Sequence, residues 1–100
     1  MEPLWHPAAD RFGLVTVMAA LADATRLDVL RQLASVEERS CGDVDTPLAT
    51  STMTRHYRIL REAGLIRVRV DGKHRMLALR RHDIQDRFPG LLELVLAEHT

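Results

Sequence analysis

The middle of the chain combines one helical pattern with two strand patterns, and it constrains the fold more than any other part. In STMTRHYRILREAGL, the apolar residues Met53, Tyr57 and Leu60 recur at the spacing of one helix face. They predict a helix over Thr50–Ala63, and Gly64 lies where glycine commonly ends a helix. The alternating runs LIRVRV and HRMLALR, joined by the turn signal DGK, then predict a β-hairpin. Because a lone hairpin is marginal in water, it must pack against helices.

The start of this central helix has the features of an anion contact. Ala49 would be a poor cap, whereas Thr50 or Ser51 could serve as one. The first turn of a helix holds free N–H groups and the positive end of the helix dipole, which suit a phosphate. The inward positions of the helix leave these side chains outward or lateral: Ser51, Thr52, Arg55 and Arg58.

Charge is segregated along the chain, although 14 basic and 14 acidic residues cancel overall. Residues 1–50 hold four arginines and eight acids, a net charge of −4; residues 81–100 hold two bases and four acids, a net charge of −2. Residues 51–80 hold eight bases and two acids, a net charge of +6. Such a basic segment can bind a polyanion locally at physiological salt. On charge alone, a solvated basic face explains the segment equally well.

The N-terminal half predicts two helices and a punctuated loop. The first helix is expected over Ala8–Ala22, with an apolar stripe through Phe12, Val15, Met18, Ala19 and Ala22. Other apolar residues flank this stripe, so the helix needs burial on more than one side, for example against a second chain. The second helix is expected over Ala24–Ser35, capped by Asp23. CGDVDTPL, between it and the central helix, predicts at most a short helical turn.

The C-terminal segment 81–100 is predicted to be helical. Pro89 can start its last part, which carries an apolar face of leucines and valine. With 100 residues, the chain is expected to form one domain over residues 1–100. Its class is mostly α with a small β-hairpin.

Composition favours a cytoplasmic protein. No apolar run approaches the roughly 18 residues that span a bilayer, and no secretory signal is visible. The single cysteine, Cys41, excludes an internal disulfide and fits a reducing compartment. We therefore expect no membrane partner.

Two separated motifs resemble those of the arsenic-repressor-type (ArsR/SmtB-like) regulators. LADATRLDVLRQLA is similar to the LADPTRLxILxxL signature of that family. STMTRHYRILREAGLIRVRVDGKHRMLAL is similar to its STVSHHLKVLREAGLV…REGR…YxL stretch. The resemblance runs from about Leu21 to Leu79, with the motifs in the same order and at nearly the same distance.

The resemblance implies a winged helix-turn-helix fold, dimeric through its first and last helices. It implies a homodimeric transcriptional repressor that binds double-stranded DNA at a near-palindromic operator and is released by an effector, which the sequence does not identify. Carried over by position, and together with the neighbouring basic side chains, the DNA-contact candidates are Thr50, Ser51, Thr52, Thr54, Arg55, His56, Arg58, Lys73, His74 and Arg75. Arg55 is the candidate for reading bases, and Arg58 and the wing bases are candidates for phosphate contacts.

Metal-sensing members of that family use a Cys-x-Cys pair or paired carboxylate and histidine ligands on the last helix. Here Cys41 stands alone, and His82, Asp83, Glu93, Glu98 and His99 lack the expected spacing. Soft-metal sites need several thiolates or imidazoles in fixed geometry. We therefore predict neither a metal site nor a cofactor, and expect Cys41 to be buried or half-buried. A repressor that responds to redox or metal through Cys41 remains an alternative.

Catalysis is not expected. Ser51, His56 and Asp71 form no credible catalytic set, because nothing orients the histidine toward the serine. No catalytic residue is therefore assigned. A winged helix that binds only another protein is the second alternative, and the basic segment argues against it.

Overall fold

The computed structural model describes residues 4–97. The helices are α1 (Leu14–Leu21), α2 (Ala24–Ala34), α3 (Thr50–Glu62), α4 (Arg81–Arg87) and α5 (Leu91–Ala97). The strands are β1 (Arg39–Ser40), β2 (Ile66–Asp71) and β3 (His74–Leu79), and 3₁₀ turns lie at Ala9–Arg11 and Cys41–Asp43. This is the winged helix-turn-helix arrangement that the sequence predicts, with helices outnumbering strands.

The prediction of one first helix over Ala8–Ala22 is wrong in its N-terminal half. The chain forms the 3₁₀ turn and then runs extended through Phe12 and Gly13 before α1 begins. The break occurs because Phe12 turns its ring into the core, where it is 2% exposed. The predicted stripe is also wrong, since Val17 and Ala20 face the core while Val15 faces solvent.

The predictions for α2 and α3 are largely confirmed. Asp23 caps α2 by accepting a hydrogen bond of 3.0 Å from the backbone N–H of Arg26. Met53 and Leu60 point inward from α3 and are fully buried. The expected side-chain cap of α3 is wrong, because Ala49 is the N-cap residue and provides no side-chain acceptor. The segment before α3 contains the 3₁₀ turn and is otherwise irregular, as expected.

The predicted two-stranded hairpin is part of a three-stranded antiparallel sheet of order β1-β3-β2. β2 and β3 pair in register from Ile66 opposite Leu79 to Asp71 opposite His74. β1 pairs with the other edge of β3. A strand of two residues is too short to leave an alternating pattern, so the sequence reading missed it. We call the β2–β3 hairpin the wing.

The C-terminal helical segment divides into α4 and α5 around Phe88, Pro89 and Gly90. A separate last part is expected to start at Pro89, but Gly90 has a positive φ of 89° and α5 begins only at Leu91. Residues 98–100 of that prediction lie outside the described residues.

The core lies where α2 meets α1, α3, α5 and the sheet. Its fully buried side chains include Val17, Leu30, Leu33, Leu60, Leu65, Ile66, Leu77 and Ile84. Residues 4–13, which we call the N-terminal arm, are held against this core. Arg80 Nη1 donates to Pro7 O at 2.8 Å and the Val68 N–H donates to His6 Nε2 at 2.9 Å. No helix within residues 4–97 is long and apolar enough to cross a membrane. The packing leaves one face of α3 and the tip of the wing exposed.

Candidate nucleic-acid interface

The outer face of α3 is polar and exposed. It carries Thr50, Ser51, Thr52, Thr54, Arg55 and Arg58. Tyr57 and the other inward side chains hold the opposite face against the core. Thr54 Oγ1 donates to Thr50 O at 2.9 Å within the helix. Because Ala49 gives no side-chain cap, the first N–H groups of this 13-residue helix stay available to an external acceptor.

Basic side chains of the 51–80 segment divide into two groups. In the first group, each arginine has a partner within the protein; the group is Arg61, Arg67, Arg69 and Arg80. Arg69 makes a bidentate ion pair with Glu38 at 2.7 and 2.8 Å, and Arg67 Nη2 lies 3.6 Å from Asp83 Oδ2. The hydrogen bond from Arg69 lowers the pKa of Glu38 below its ordinary value. These arginines are neutralised locally.

In the second group, no carboxylate among residues 4–97 lies within ion-pair distance. This group is Arg55, Arg58, Lys73 and Arg75, and we call them the unpaired cations. All four are exposed. They lie on α3 and on the wing, so their positive charge is directed to solvent.

A cleft of about 700 Å³ lies between α3 and the wing, and we call it the wing cleft. Lys73, His74 and Arg75 lie on its wing side, and Arg58 lies on its α3 side. The wing tip turns at Gly72, whose φ is +60°. Cys41 also lines the cleft and is half-buried, as expected. Burial raises the pKa of the Cys41 thiol, although the charge of Arg75 opposes that shift.

Comparisons with known proteins agree on one class. Residues 21–69 match the helix-turn-helix domain family. The chain is 38% identical over 80 residues to YceK of Bacillus subtilis (strain 168), an uncharacterized HTH-type transcriptional regulator; the match covers 77% of this chain and 80% of YceK.

Solved structures show the same architecture. HlyU from Vibrio cholerae N16961 superimposes with a TM-score of 0.67 at 25% identity, covering 81% of this chain and 85% of that chain. An ArsR family transcriptional regulator superimposes with a TM-score of 0.68, covering 96% of this chain and 100% of that chain. At 20% identity, the second likeness shows the fold alone.

The chain belongs to the arsenic-repressor-type family of winged helix-turn-helix transcriptional regulators. Members of this family bind double-stranded DNA, are often dimers and are not enzymes. The matched region 21–69 contains all of α2 and α3, and α3 is the helix that carries Arg55 and Arg58.

His56 does not share the position of the other DNA-contact candidates, and we correct its assignment. It is 8% exposed and lies between α2 and α3. Its Nδ1 lies 3.2 Å from Arg26 Nη1 and 3.9 Å from Asp23 Oδ1. Position in the motif suggested a groove contact, but the helix turns this side chain inward. DNA contacts by the remaining candidates stay a prediction.

Arg26 is the structural partner that sequence reasoning missed. Besides facing His56, its Nε donates to Ala20 O at 2.6 Å, near the end of α1. Its place in the LADATRL motif was the only signal for such a role. Long side chains that cross between helices leave no periodic pattern in a sequence.

Metal-ligating side chains are not brought together in the part of the chain that the structure describes. Within residues 4–97, no group of three or more His, Cys, Asp or Glu side chains could hold a metal ion. Asp83 instead makes ion pairs with Arg67 and Arg80. Glu98 and His99 lie outside the described residues.

Proposed function

We propose that this regulator is a homodimeric repressor, acting in the cytoplasm, that binds a near-palindromic operator through α3 and the wing. We further propose that residues 1–100 act as one DNA-binding domain. The observation that carries the proposal is the set of unpaired cations, since the neighbouring arginines of the same segment are neutralised. Four exposed positive charges without acidic partners suit the phosphates of a duplex.

The proposed roles follow from position on α3. Arg55 lies in the second turn of the helix, on the exposed face that would enter the major groove. An arginine there can donate two hydrogen bonds to guanine O6 and N7. Arg58 lies one turn later, beside the wing cleft, where a phosphate contact is the better fit. Lys73 and Arg75, with His74 between them in the sequence, would contact the DNA phosphates next to the one that Arg58 binds.

Hydroxyls at the start of α3 would add contacts to the DNA backbone. Thr50, Ser51 and Thr52 are exposed there, together with the uncapped N–H groups. Such contacts fix the register of the helix on the duplex without reading sequence. Thr54 lies on the same exposed face, beside Arg55.

The proposed dimer interface is the exposed apolar surface of α1 and α5. Val15 is 83% exposed, Leu14 54%, Met18 52% and Leu94, on α5, 68%. Large apolar side chains grouped on the exposed side of one helix, as Leu14, Val15 and Met18 are on α1, commonly mark a protein interface. α2 packs against both α1 and α5, so it connects this surface to α3. A twofold dimer would present two recognition helices to half-sites about one helical turn apart.

Footprinting on the DNA upstream of its own gene tests the proposal, followed by affinity measurements against salt. Binding to a duplex through Z phosphates gives a log–log slope of about −0.9Z, hence up to about −7 for eight unpaired cations in a dimer. Arg11→Ala is the control variant and should keep the salt slope of the wild type. Arg11 is exposed, but it lies near Glu62 and Ala63 at the far end of α3. A protein with no footprint and a flat salt dependence would instead be a module that binds another protein.

A further inference from the structure

We propose that the wing cleft binds a small organic anion with an apolar body, and that this ligand competes with DNA. Competition rests on the proposed function, whereas binding in the cleft does not. A volume of about 700 Å³ lies within the range of about 300–1,000 Å³ typical of small-molecule sites.

Apolar side chains from several elements line the inner part of the cleft. They are Val44, Met53, Val68 and Leu77, all of which are buried, together with the half-buried Leu4 and the exposed Leu48. The charged phosphates of a DNA backbone have no hydrocarbon surface to place against such a lining. The lining therefore fits a ligand with a hydrocarbon body better than it fits DNA alone.

Tyr57 supplies a polar group that the protein itself does not use. It lines the cleft and is 8% exposed, yet its hydroxyl makes no hydrogen bond to any residue in the range 4–97. The hydroxyl oxygen is not among the fully buried polar atoms that lack a partner, so it reaches the solvent of the cleft, where a ligand can meet it. Burial raises the pKa of Tyr57 to about 12, so the hydroxyl keeps its proton and can donate it to a ligand oxygen.

The charge around the cleft selects an anion. Arg58, Arg61, Lys73 and Arg75 all line it, and among its described lining residues there is no aspartate or glutamate. Arg61 already donates to Trp5 O, which leaves Arg58, Lys73 and Arg75 for a ligand. A carboxylate between Tyr57 and these cations would satisfy the hydroxyl and partly neutralise the rim.

The ligand would regulate DNA binding, because ligand and DNA would use the same residues. Arg58, Lys73 and Arg75 are the proposed phosphate contacts and also line the cleft. An anion held there would occupy the groups that the DNA backbone needs. Ligand and duplex would therefore exclude each other at one site.

Octanoate is the probe for binding in the cleft. The two control ligands are 1-octanol, which has the same chain length but no charge, and acetate, which has the charge but no apolar body. We expect octanoate to bind the wild-type chain by titration calorimetry and to shift the backbone amide resonances of Thr54, Val68 and Lys73. Octanol and acetate should each bind at least about tenfold more weakly. Equal binding of octanol would overturn the proposal, as would shifts confined to Leu14, Val15 and Met18 on α1.

Tyr57→Phe isolates the hydroxyl, because it keeps the ring in the core. Octanoate affinity should fall about tenfold in this variant, the usual effect of losing one hydrogen bond to a charged group. Its affinity for DNA without octanoate should equal that of the wild type. Unchanged octanoate affinity would contradict the role of Tyr57 in the site.

Competition is read from the anisotropy of a labelled operator fragment found by footprinting. Octanoate should raise the Kd of the wild type for DNA, and should do so less for Tyr57→Phe at the same concentration. Octanoate that binds without changing the Kd overturns competition. A chain that binds octanoate but no DNA at any salt concentration overturns the proposed function and leaves the cleft assignment supported.

Discussion

Arg26 on α2 connects α1 to α3 through His56. Its Nη1 lies 3.2 Å from His56 Nδ1, while its Nε donates to Ala20 O at 2.6 Å. Arginine has no acceptor, so the guanidinium donates to His56 in this geometry. One side chain therefore satisfies polar groups on two helices at once.

Replacing Arg26 by methionine keeps the apolar stem but removes these donors. We expect the free energy of unfolding to fall by about 2 kcal/mol, because Ala20 O and His56 Nδ1 lose their partner. Urea denaturation measures the change. Arg11→Met should stay within about 0.5 kcal/mol of the wild type, as expected for an exposed side chain. Equal stability of the two variants would mean that Arg26 does not connect the helices energetically.

Replacing Arg55 by alanine and replacing Arg58 by alanine should change DNA binding in different ways. Arg55→Ala should flatten discrimination among operator variants, since it removes the proposed base contact. Arg58→Ala should weaken all duplexes alike and reduce the salt slope by about one for each arginine lost. Affinities on operator and random DNA at several salt concentrations measure both effects. Identical behaviour of the two variants on both DNAs would refute the assigned roles.

Val15→Glu tests the proposed dimer surface on α1. Val15 is 83% exposed, so a charge there leaves the protomer folded but is buried on dimerisation. We expect sedimentation equilibrium to give twice the 11.3 kDa chain mass for the wild type and a single chain mass for the variant. Val70→Glu, at another exposed apolar residue on β2, should remain dimeric. A wild type that sediments as a monomer would remove the two-half-site proposal.

His6 is expected to make stability depend on pH. Its Nδ1 faces Leu4 O and its Nε2 accepts from the Val68 N–H, so the folded state uses the neutral ring. Burial lowers the pKa of His6; the hydrogen bond to Leu4 O opposes that shift, and the charges of Arg67, Arg61 and Arg80 add to it. The unfolded chain therefore binds the proton more readily, and this contribution is complete above the ordinary histidine pKa and lost as pH falls below it.

The measurement compares urea denaturation at about pH 7.5 and about pH 5.5. His6→Gln retains an acceptor that does not titrate, so it should lose less stability on acidification than the wild type. His82→Gln, at an exposed residue of α4, should keep the pH dependence of the wild type. If His6→Gln and the wild type lose equal stability, the arm does not respond to protonation of His6.

Two glycines with positive φ should respond differently to alanine. At Gly64, where φ is +91°, a Cβ would overlap the ring of Phe12. At Gly72, where φ is +60°, a Cβ would meet no atom within 4 Å. Gly72→Ala should cost about 1 kcal/mol for the backbone alone, and Gly64→Ala should cost about 2 kcal/mol more because of the overlap. Thermal unfolding measures both; equal losses would show that Phe12 moves away at little cost.

Local patterns in the sequence were enough to predict α2, α3 and the wing, and to indicate the family. Met53 and Leu60 are buried as their spacing predicts, because one helix face must pack against the core in any arrangement of neighbours. The paired motifs around α2 and α3 indicated the family for the same reason, since they encode short segments whose structure is largely local.

Only the tertiary structure decided which of those residues meet distant partners. It buried His56 against Arg26, broke the first helix at Phe12 and added β1 to the wing. It also paired Arg69 with Glu38 while leaving Arg55 exposed, although the sequence presents both as bases of one segment. These outcomes depend on contacts between residues that lie 30 or more positions apart in the chain. Packing, not local periodicity, selects such contacts.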